Sequence, residues 1–235
     1  MTIIDTNFDV YSDTPKGRDP DSYSATLRKY HQTLWSKPLP NGVMFTLEDN
    51  TPRLLQHKSE LGEFLLSSDS IGHTYSKVKS MSPIVDQIPS EEIKAFFTVC
   101  STVGAYIIFP AKKIDNKMTI NGSRGLNRSI KDRFDLTLEC IRRFYVNKES
   151  PLTETFQRYA SFFNLFHDFG GYVDFFLLQD LVDDGYSVKF FLPFESFNQP
   201  PLPKNVEQYR SYKKHLIEFV SVRNQRMLNT TKTFN

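Results

Sequence analysis

The chain has 235 residues and a formal charge of +2, from 29 Lys and Arg against 27 Asp and Glu. That length suits one domain, or one with a small appendage, and buries enough apolar surface to fold without a disulfide framework or structural metal. Charged residues at 24% and aromatics at 14% exclude a disordered tail, and no apolar run approaches the ~20 residues of a membrane helix.

Cys100 and Cys140 have no neighbouring Cys or His at zinc spacing, so they read as buried thiols of a reducing compartment. The N-terminal residues MTIIDTNFDVYSD carry acids where a secretory signal carries bases. These features predict a soluble, cytoplasmic protein.

Residues 7–42 form a leader rich in prolines and turn residues, within which residues 24–36 hold Leu27, Tyr30 and Leu34 at helical spacing. Trp35 is expected to pin this arm against the body. Over residues 43–80, short runs at 44–47, 54–57 and 62–66 are separated by turn signals and predict an antiparallel meander. Pro89-Ser90-Glu91-Glu92 opens a helix with Ser90 as N-cap, and Ile93, Phe96, Phe97 and Cys100 supply its apolar stripe. Residues 105–109 read as a buried strand closed by Pro110, and residues 117–120 as another short strand.

The remainder is predicted to be mainly helical. Ile130, Phe134, Leu138, Ile141 and Tyr145 form a one-faced stripe that predicts a helix over 127–145. Ser150-Pro151 starts a second helix that runs to Gly170-Gly171. Residues 172–181, apolar almost all round, read as the central helix, and 187–192 as a returning strand. After the stiff 200–203 spacer a long helix runs from Asn205 to about Leu228. Eleven of the twenty-one phenylalanines lie between 156 and 197, which places the core in the C-terminal half. The expected fold class is α+β, a small antiparallel sheet in the N-terminal half packed against a mainly helical C-terminal half. Residues 1–235 form a single domain in this reading: a Pro-rich leader arm (7–42) wrapping the body, a mainly β part (43–120) and a mainly α part (121–235).

The leading candidate for chemistry is the run Asn121-Gly122-Ser123-Arg124-Gly125-Leu126-Asn127-Arg128. Two glycines permit positive φ, so successive amides can converge on an anion ahead of a helix N-terminus. Arg124 and Arg128 could grip a phosphate or carboxylate bidentately, while Asn121 and Asn127 orient the ligand. The run lacks the Walker and dinucleotide glycine patterns, and a plain turn with Asn127 as N-cap accounts for the same residues. On the following helix, Asp132, Asp135 and Glu139 are candidate bases. Asp135 and Glu139, one turn apart, could also share a proton or a divalent cation, against the alternative of an ion-paired exposed face.

Asp174 and Asp180 fall in the apolar segment and need partners, with Arg124, Arg142 or Arg158 as candidates. The five histidines are dispersed, so no metal site is expected from local histidine spacing. Asp86 with Glu92-Ile93-Lys94 imitates a nuclease pattern but opens a helix instead of lying on a strand. The residues single out no cofactor. Charge is uneven: from residue 204 onward seven basic residues face two acids, while residues 168–195 hold six acids and one Lys. Tyr209 and Tyr212 among those bases could track a nucleic-acid backbone, or the two segments could simply face one another.

The stretches DPDSYSATLRKYHQTLWSKPLPNG, TINGSRGLNRSIKDRFDLTLECIRRFY and GGYVDFFLLQDLV together resemble a family of uncharacterised bacterial proteins over most of the chain. The resemblance implies a single bacterial domain and carries over no activity, cofactor or catalytic residue. From the residues themselves, the expected function is binding of a phosphate-bearing ligand, a nucleotide or nucleic acid, at the 121–128 turn. The competing expectation is a non-enzymatic protein–protein interaction module of a phage-defence or toxin-type system, which a stable homo-oligomer burying an aromatic face would favour.

Overall fold

The computed structural model describes residues 4–51 and 53–232. The leader winds through turns to α1 (Pro20–Tyr23), where the Asp19 carboxylate accepts from the Asp21 amide, and then enters α2 (Ala25–Trp35), capped by Ser24 on the Leu27 amide. The spacing legible in the sequence becomes the buried face of α2, comprising Leu27, Tyr30, His31, Leu34 and Trp35. Trp35 stacks on Phe175, meets Phe176 edge-on, and donates its Nε1–H to His31 Nδ1 at 3.0 Å. Since Nδ1 accepts, His31 Nε2 carries the proton that it donates to Ser68 Oγ at 3.0 Å. Burial holds the His31 pKa down at about 3, so this relay from arm to sheet is neutral.

A short antiparallel ribbon, β1 (Lys37–Pro38) with β2 (Met44–Phe45), leads into the main sheet. That sheet runs β3 (Glu48–Thr51), β4 (Leu54–Ser59), β5 (Gly62–Ser70), β6 (Tyr106–Pro110) in spatial order, antiparallel throughout. Phe64, Leu66 and Ser68 of β5 face inward by the period-2 rule, while β6 is buried at every residue. The register sets Asp69 opposite Ile107 and Ser70 opposite Tyr106. Between β5 and β6 the chain forms α3 (Ser82–Val85) and α4 (Ser90–Cys100). Pro89 occupies the cap position of α4, and the Ser90 hydroxyl donates to Glu91 without capping the helix.

The C-terminal half contains α5 (Ile120–Leu126), α6 (Phe134–Tyr145), α7 (Thr153–Arg158), α8 (Ala160–Phe163), α9 (Phe169–Phe175) and α10 (Val206–Lys232). Several expected boundaries move. The strand expected at 117–120 gives way to α5, because the Thr119 hydroxyl caps the Gly122 amide. The helix expected from Asn127 begins only at Phe134: Lys131 and Asp132 sit at φ 47° and 60°, a conformation that a continuous helix excludes. The long helix from Ser150 splits into α7 and α8, and the 172–181 segment stops at Phe175, with Leu177 at φ 55°. There the Phe176 carbonyl is taken by Arg223, which replaces the bond a continuing helix would supply. The returning strand at 187–192 reduces to an isolated bridge between Val182 and Val188.

A continuous cluster of buried apolar residues runs from Ile4 to Met227. Phe45, Phe64, Phe96, Phe109 and Phe134 belong to it alongside the later phenylalanines, so the core spans both halves. α10 runs against α4 and the turn Val103–Ala105. Its Arg223 is fully buried with no carboxylate: it donates to the carbonyls of Gly104, Tyr106 and Phe176, and burial lowers its pKa to about 9. Both cysteines are free and buried. Among the described residues no helix is long and apolar enough to cross a membrane.

Candidate functional site

The structure rearranges the residues singled out from sequence. Asn121, Gly122, Ser123, Arg124 and Gly125 lie inside α5, and the glycines with positive φ are Gly17, Gly42 and Gly62. The amides of the 121–125 stretch are therefore committed to helix geometry, and the expected glycine nest does not form. Arg124 is fully buried. Its Nε donates to Thr137 Oγ1 at 3.1 Å, Nη1 to the Asp69 carboxylate and to Ser70 O at 3.1 Å, and Nη2 to Asp132 O at 3.2 Å. Asn121 donates to Ser68 O at 3.1 Å. Asn127 organises its own turn by taking the Ser129 amide and donating to Pro151 O, while Arg128 is exposed.

Two of the candidate bases are absorbed by internal pairing. Asp135 is fully buried, held by Arg133 and by the Phe191 amide at 2.9 Å. Glu139 accepts from Arg142 and Arg143 at 2.7 to 2.9 Å, and these bonds hold its carboxyl below the usual range despite burial. No group of three or more metal-ligating side chains comes together among the described residues. Asp132 behaves differently: it lines a cavity.

That cavity has a volume of about 1000 Å³ and lies beneath the leader arm. One wall is Tyr11 and residues 14–21, a second is the segment after β5 (70–78), and a third is Gly125, Lys131 and Asp132. The arm is tied down at intervals: Val10 N–H donates to Ser101 O at 3.0 Å, and Asp13 accepts the Thr26 amide at 2.8 Å. α1 then packs on β5. Across the floor, the Tyr75 hydroxyl donates to Lys131 O at 3.0 Å, joining the second wall to the third. A Cβ at Gly125 would reach within 3.1 Å of Asp132 Oδ2, so glycine there lets the carboxylate approach α5.

The charges are layered. Deep in the site, Asp21, Asp69 and Asp132 all interact electrostatically with the buried Arg124 guanidinium, and Asp69 claims it. Burial pushes the Asp69 carboxyl up to about 6 against the pull of Arg124. Burial lifts Asp21 well above the ordinary carboxyl range, and the charges of Asp69 and Asp19 add to the effect. Burial also lowers His73, which stays neutral. Asp21 Oδ1 and His73 Nε2 are buried and have no hydrogen-bond partner. At the mouth stand Lys16, Arg18 and Lys77, all exposed, with Lys131 half-buried beside them. Tyr11 and Phe97 form a ring pair there, centroids 5.0 Å apart, with 39% and 38% of their surfaces exposed.

A floor with unpartnered polar atoms under a cationic mouth suits a ligand with a polar, hydrogen-bonding end and anionic charge at the other. Sequence reasoning missed Asp19, Asp21 and His73. The Asp19-Pro20-Asp21 triplet looks like turn chemistry, and only the folded arm places it over β5. A second depression of about 580 Å³ surrounds His167, Asp168 and Tyr186, but its His167–Asp168 pair is largely exposed to solvent.

The basic C-terminal helix is neutralised from within. Tyr209 and Tyr212 are fully buried and donate to Thr74 O and His73 O, so neither can stack on a base. Lys213 and Arg210 pair with Glu92, and Arg226 grips Asp180 at 2.6 and 2.9 Å. The acidic and basic segments therefore face one another at this pair, and Arg226 replaces the expected partners of Asp180. Asp174 is exposed and accepts from Gln179 at 3.0 Å.

No curated protein and no solved structure matches the chain. A family model covers residues 4–227, taking in the leader arm, the sheet and most of α10. The chain belongs to this family, DUF6994, a family of unknown function.

Proposed function

We propose that the cavity beneath the leader arm binds a small phosphate-bearing ligand of the nucleotide type. The observation that carries this reading is the layering of the site: Lys16, Arg18, Lys77 and Lys131 ring the mouth above two buried polar atoms that lack partners, Asp21 Oδ1 and His73 Nε2. Cations at an exposed rim suit a phosphate, which keeps part of its hydration there. Arg124 and Asn121 act from below in this reading. Arg124 holds the Asp69 carboxylate and the Asp132 carbonyl, and Asn121 holds the Ser68 carbonyl, so together they set the floor without touching the ligand. Asp132, without a hydrogen bond on its carboxylate among the described residues, is left to meet a ribose hydroxyl or a water. Asn127, Asp135 and Glu139 serve the fold, and Arg128 stands exposed outside the cavity lining.

The test is calorimetric titration of the full chain with nucleoside monophosphates, ribose 5-phosphate and inorganic phosphate. Binding that weakens about 10-fold or more in a Lys77→Ala/Lys131→Ala double variant is expected, since charge-assisted contacts are lost. Absence of binding by every phosphate compound overturns the reading.

A further inference from the structure

Large apolar side chains left in water are ordinary when scattered singly, but several opening on one cavity mark a surface that a ligand covers. Of the large apolar side chains that stand exposed among the described residues, Tyr11, Val78 and Phe97 all line the cavity beneath the leader arm. The core does not require Phe97. Its neighbour Phe96 is fully buried and meets Tyr209 and Tyr212 edge-on, and one helical step of about 100° turns the next side chain of α4 away from that contact.

Tyr11 is set beside Phe97 by the main chain. The Val10 amide, one residue earlier, donates at 3.0 Å to the carbonyl of Ser101, the residue that closes α4. The two rings then pack with centroids 5.0 Å apart and planes tilted by 41°. The Tyr11 hydroxyl also feels the Asp19 and Asp21 charges, and Arg18 directly precedes Asp19, so the rings and the cationic rim share this end of the arm.

Resting on the nucleotide reading above, we infer that Tyr11 and Phe97 form the platform on which the base of the ligand stacks, so the site takes nucleoside phosphates in preference to sugar phosphates. Every base has a π-face, so a platform of this kind separates ligands that carry a base from those that lack one without choosing among bases. The phosphate stays with the cations at the same mouth, and a volume of about 1000 Å³ leaves room for a whole mononucleotide. The platform is composite, with Tyr11 from the arm and Phe97 from α4, so a stacked base bridges the arm and the body.

The experiment is calorimetry on the full chain with AMP, CMP and ribose 5-phosphate. AMP and CMP are each expected to bind about 5-fold or more tightly than ribose 5-phosphate, in keeping with the strength of one base–aromatic stack. Phe97→Leu keeps apolar bulk but removes the ring. It is expected to abolish that preference while leaving ribose 5-phosphate affinity unchanged, and Phe97→Trp is expected to restore it. Ribose 5-phosphate binding as tightly as both nucleotides, or a preference that survives in Phe97→Leu, overturns the stacking platform while the phosphate site stands. Failure of all three compounds to bind overturns both. The comparison of the three compounds uses the natural chain, so it decides the matter even if a variant misfolds.

Discussion

The Arg124 guanidinium donates to the Asp69 carboxylate inside the protein, joining α5 to β5, and the same side chain holds the Asp132 carbonyl. One buried cation thus positions two walls of the cavity. Arg124→Ala leaves Asp69 buried without its counter-ion, and a loss of about 3–5 kcal/mol is expected in urea denaturation. Arg124→Lys should recover little, because an ammonium cannot fork to Thr137, Asp69 and Asp132 together. A loss below about 1 kcal/mol in the alanine variant would contradict the structural role.

The raised carboxyls at Asp21 and Asp69 have a stability signature. Between its unfolded value of 3.8 and its folded value of about 6, the Asp69 carboxyl binds more protons folded than unfolded. Its contribution is therefore full below the unfolded value and is lost as pH rises through the folded one. Asp21 behaves in the same direction over a window that extends higher. Asp21→Asn, neutral throughout, is expected to be about 1 kcal/mol more stable than the natural chain at pH 8, with the difference vanishing by about pH 4. Melting temperatures at the two pH values check this, and an equal gain at both would assign the effect to packing instead of titration.

His31 has the opposite sign. Its folded pKa is lowered to about 3, so below 6.5 the unfolded chain takes up a proton that the folded chain refuses. Stability from this group is present above pH 6.5 and falls as the solution is acidified. His31→Gln should cost about 1–2 kcal/mol at pH 7 through disturbed bonds to Trp35 and Ser68. It should also narrow the gap between denaturation midpoints measured at pH 7 and pH 4.5. A gap of unchanged width would exclude His31 as its source.

Arg223 satisfies three main-chain carbonyls and lies 5.7 Å from the Trp35 ring centroid. Arg223→Met removes every donor from that knot and is expected to destabilise by about 3 kcal/mol or more. Since the chain has a single Trp, near-ultraviolet circular dichroism reports the site directly, and loss of the Trp35 band should accompany the loss of stability. A preserved band with normal stability would show that the carbonyls find other donors.

Gly125→Ala probes the contact between α5 and Asp132. The helix gains up to about 1 kcal/mol of propensity from the change, while the new methyl group presses on the Asp132 carboxylate from 3.1 Å. Stability is expected to stay within about 0.5 kcal/mol of the natural chain, with nucleotide affinity reduced by the displaced carboxylate. Unaltered affinity in a normally folded variant would remove Asp132 from the ligand's surroundings.

Local signals carried the architecture a long way. Alternation over β4 and β5, the helical spacing of Leu27, Tyr30 and Leu34, and the buried β6 run all follow from periodicity, which depends only on neighbours along the chain. The same logic failed at residues 127–132 and 172–181. At 172–181 Arg223 captures the Phe176 carbonyl from 47 positions away, a bond that no local window contains, whereas at 127–132 the Asn127 side chain takes the Ser129 amide two residues on, a local turn bond that competes with the helix.

Charge shows the division most clearly. The amino-acid sequence determined that acids and bases nearly cancel, that the cysteines lack a metal-binding pattern, and that Arg124 and Asp132 are the residues to watch near α5. Which of the charged groups are spent and which remain available was decided by tertiary contacts alone. Arg124 turns inward to Asp69, Asp135 to Arg133 and Arg226 to Asp180, while Asp21 and His73 keep buried atoms without partners. The physical reason is that an ion pair or a desolvated carboxyl depends on distance and dielectric in space, and a turn-rich leader folded over β5 makes neighbours of residues dozens of positions apart.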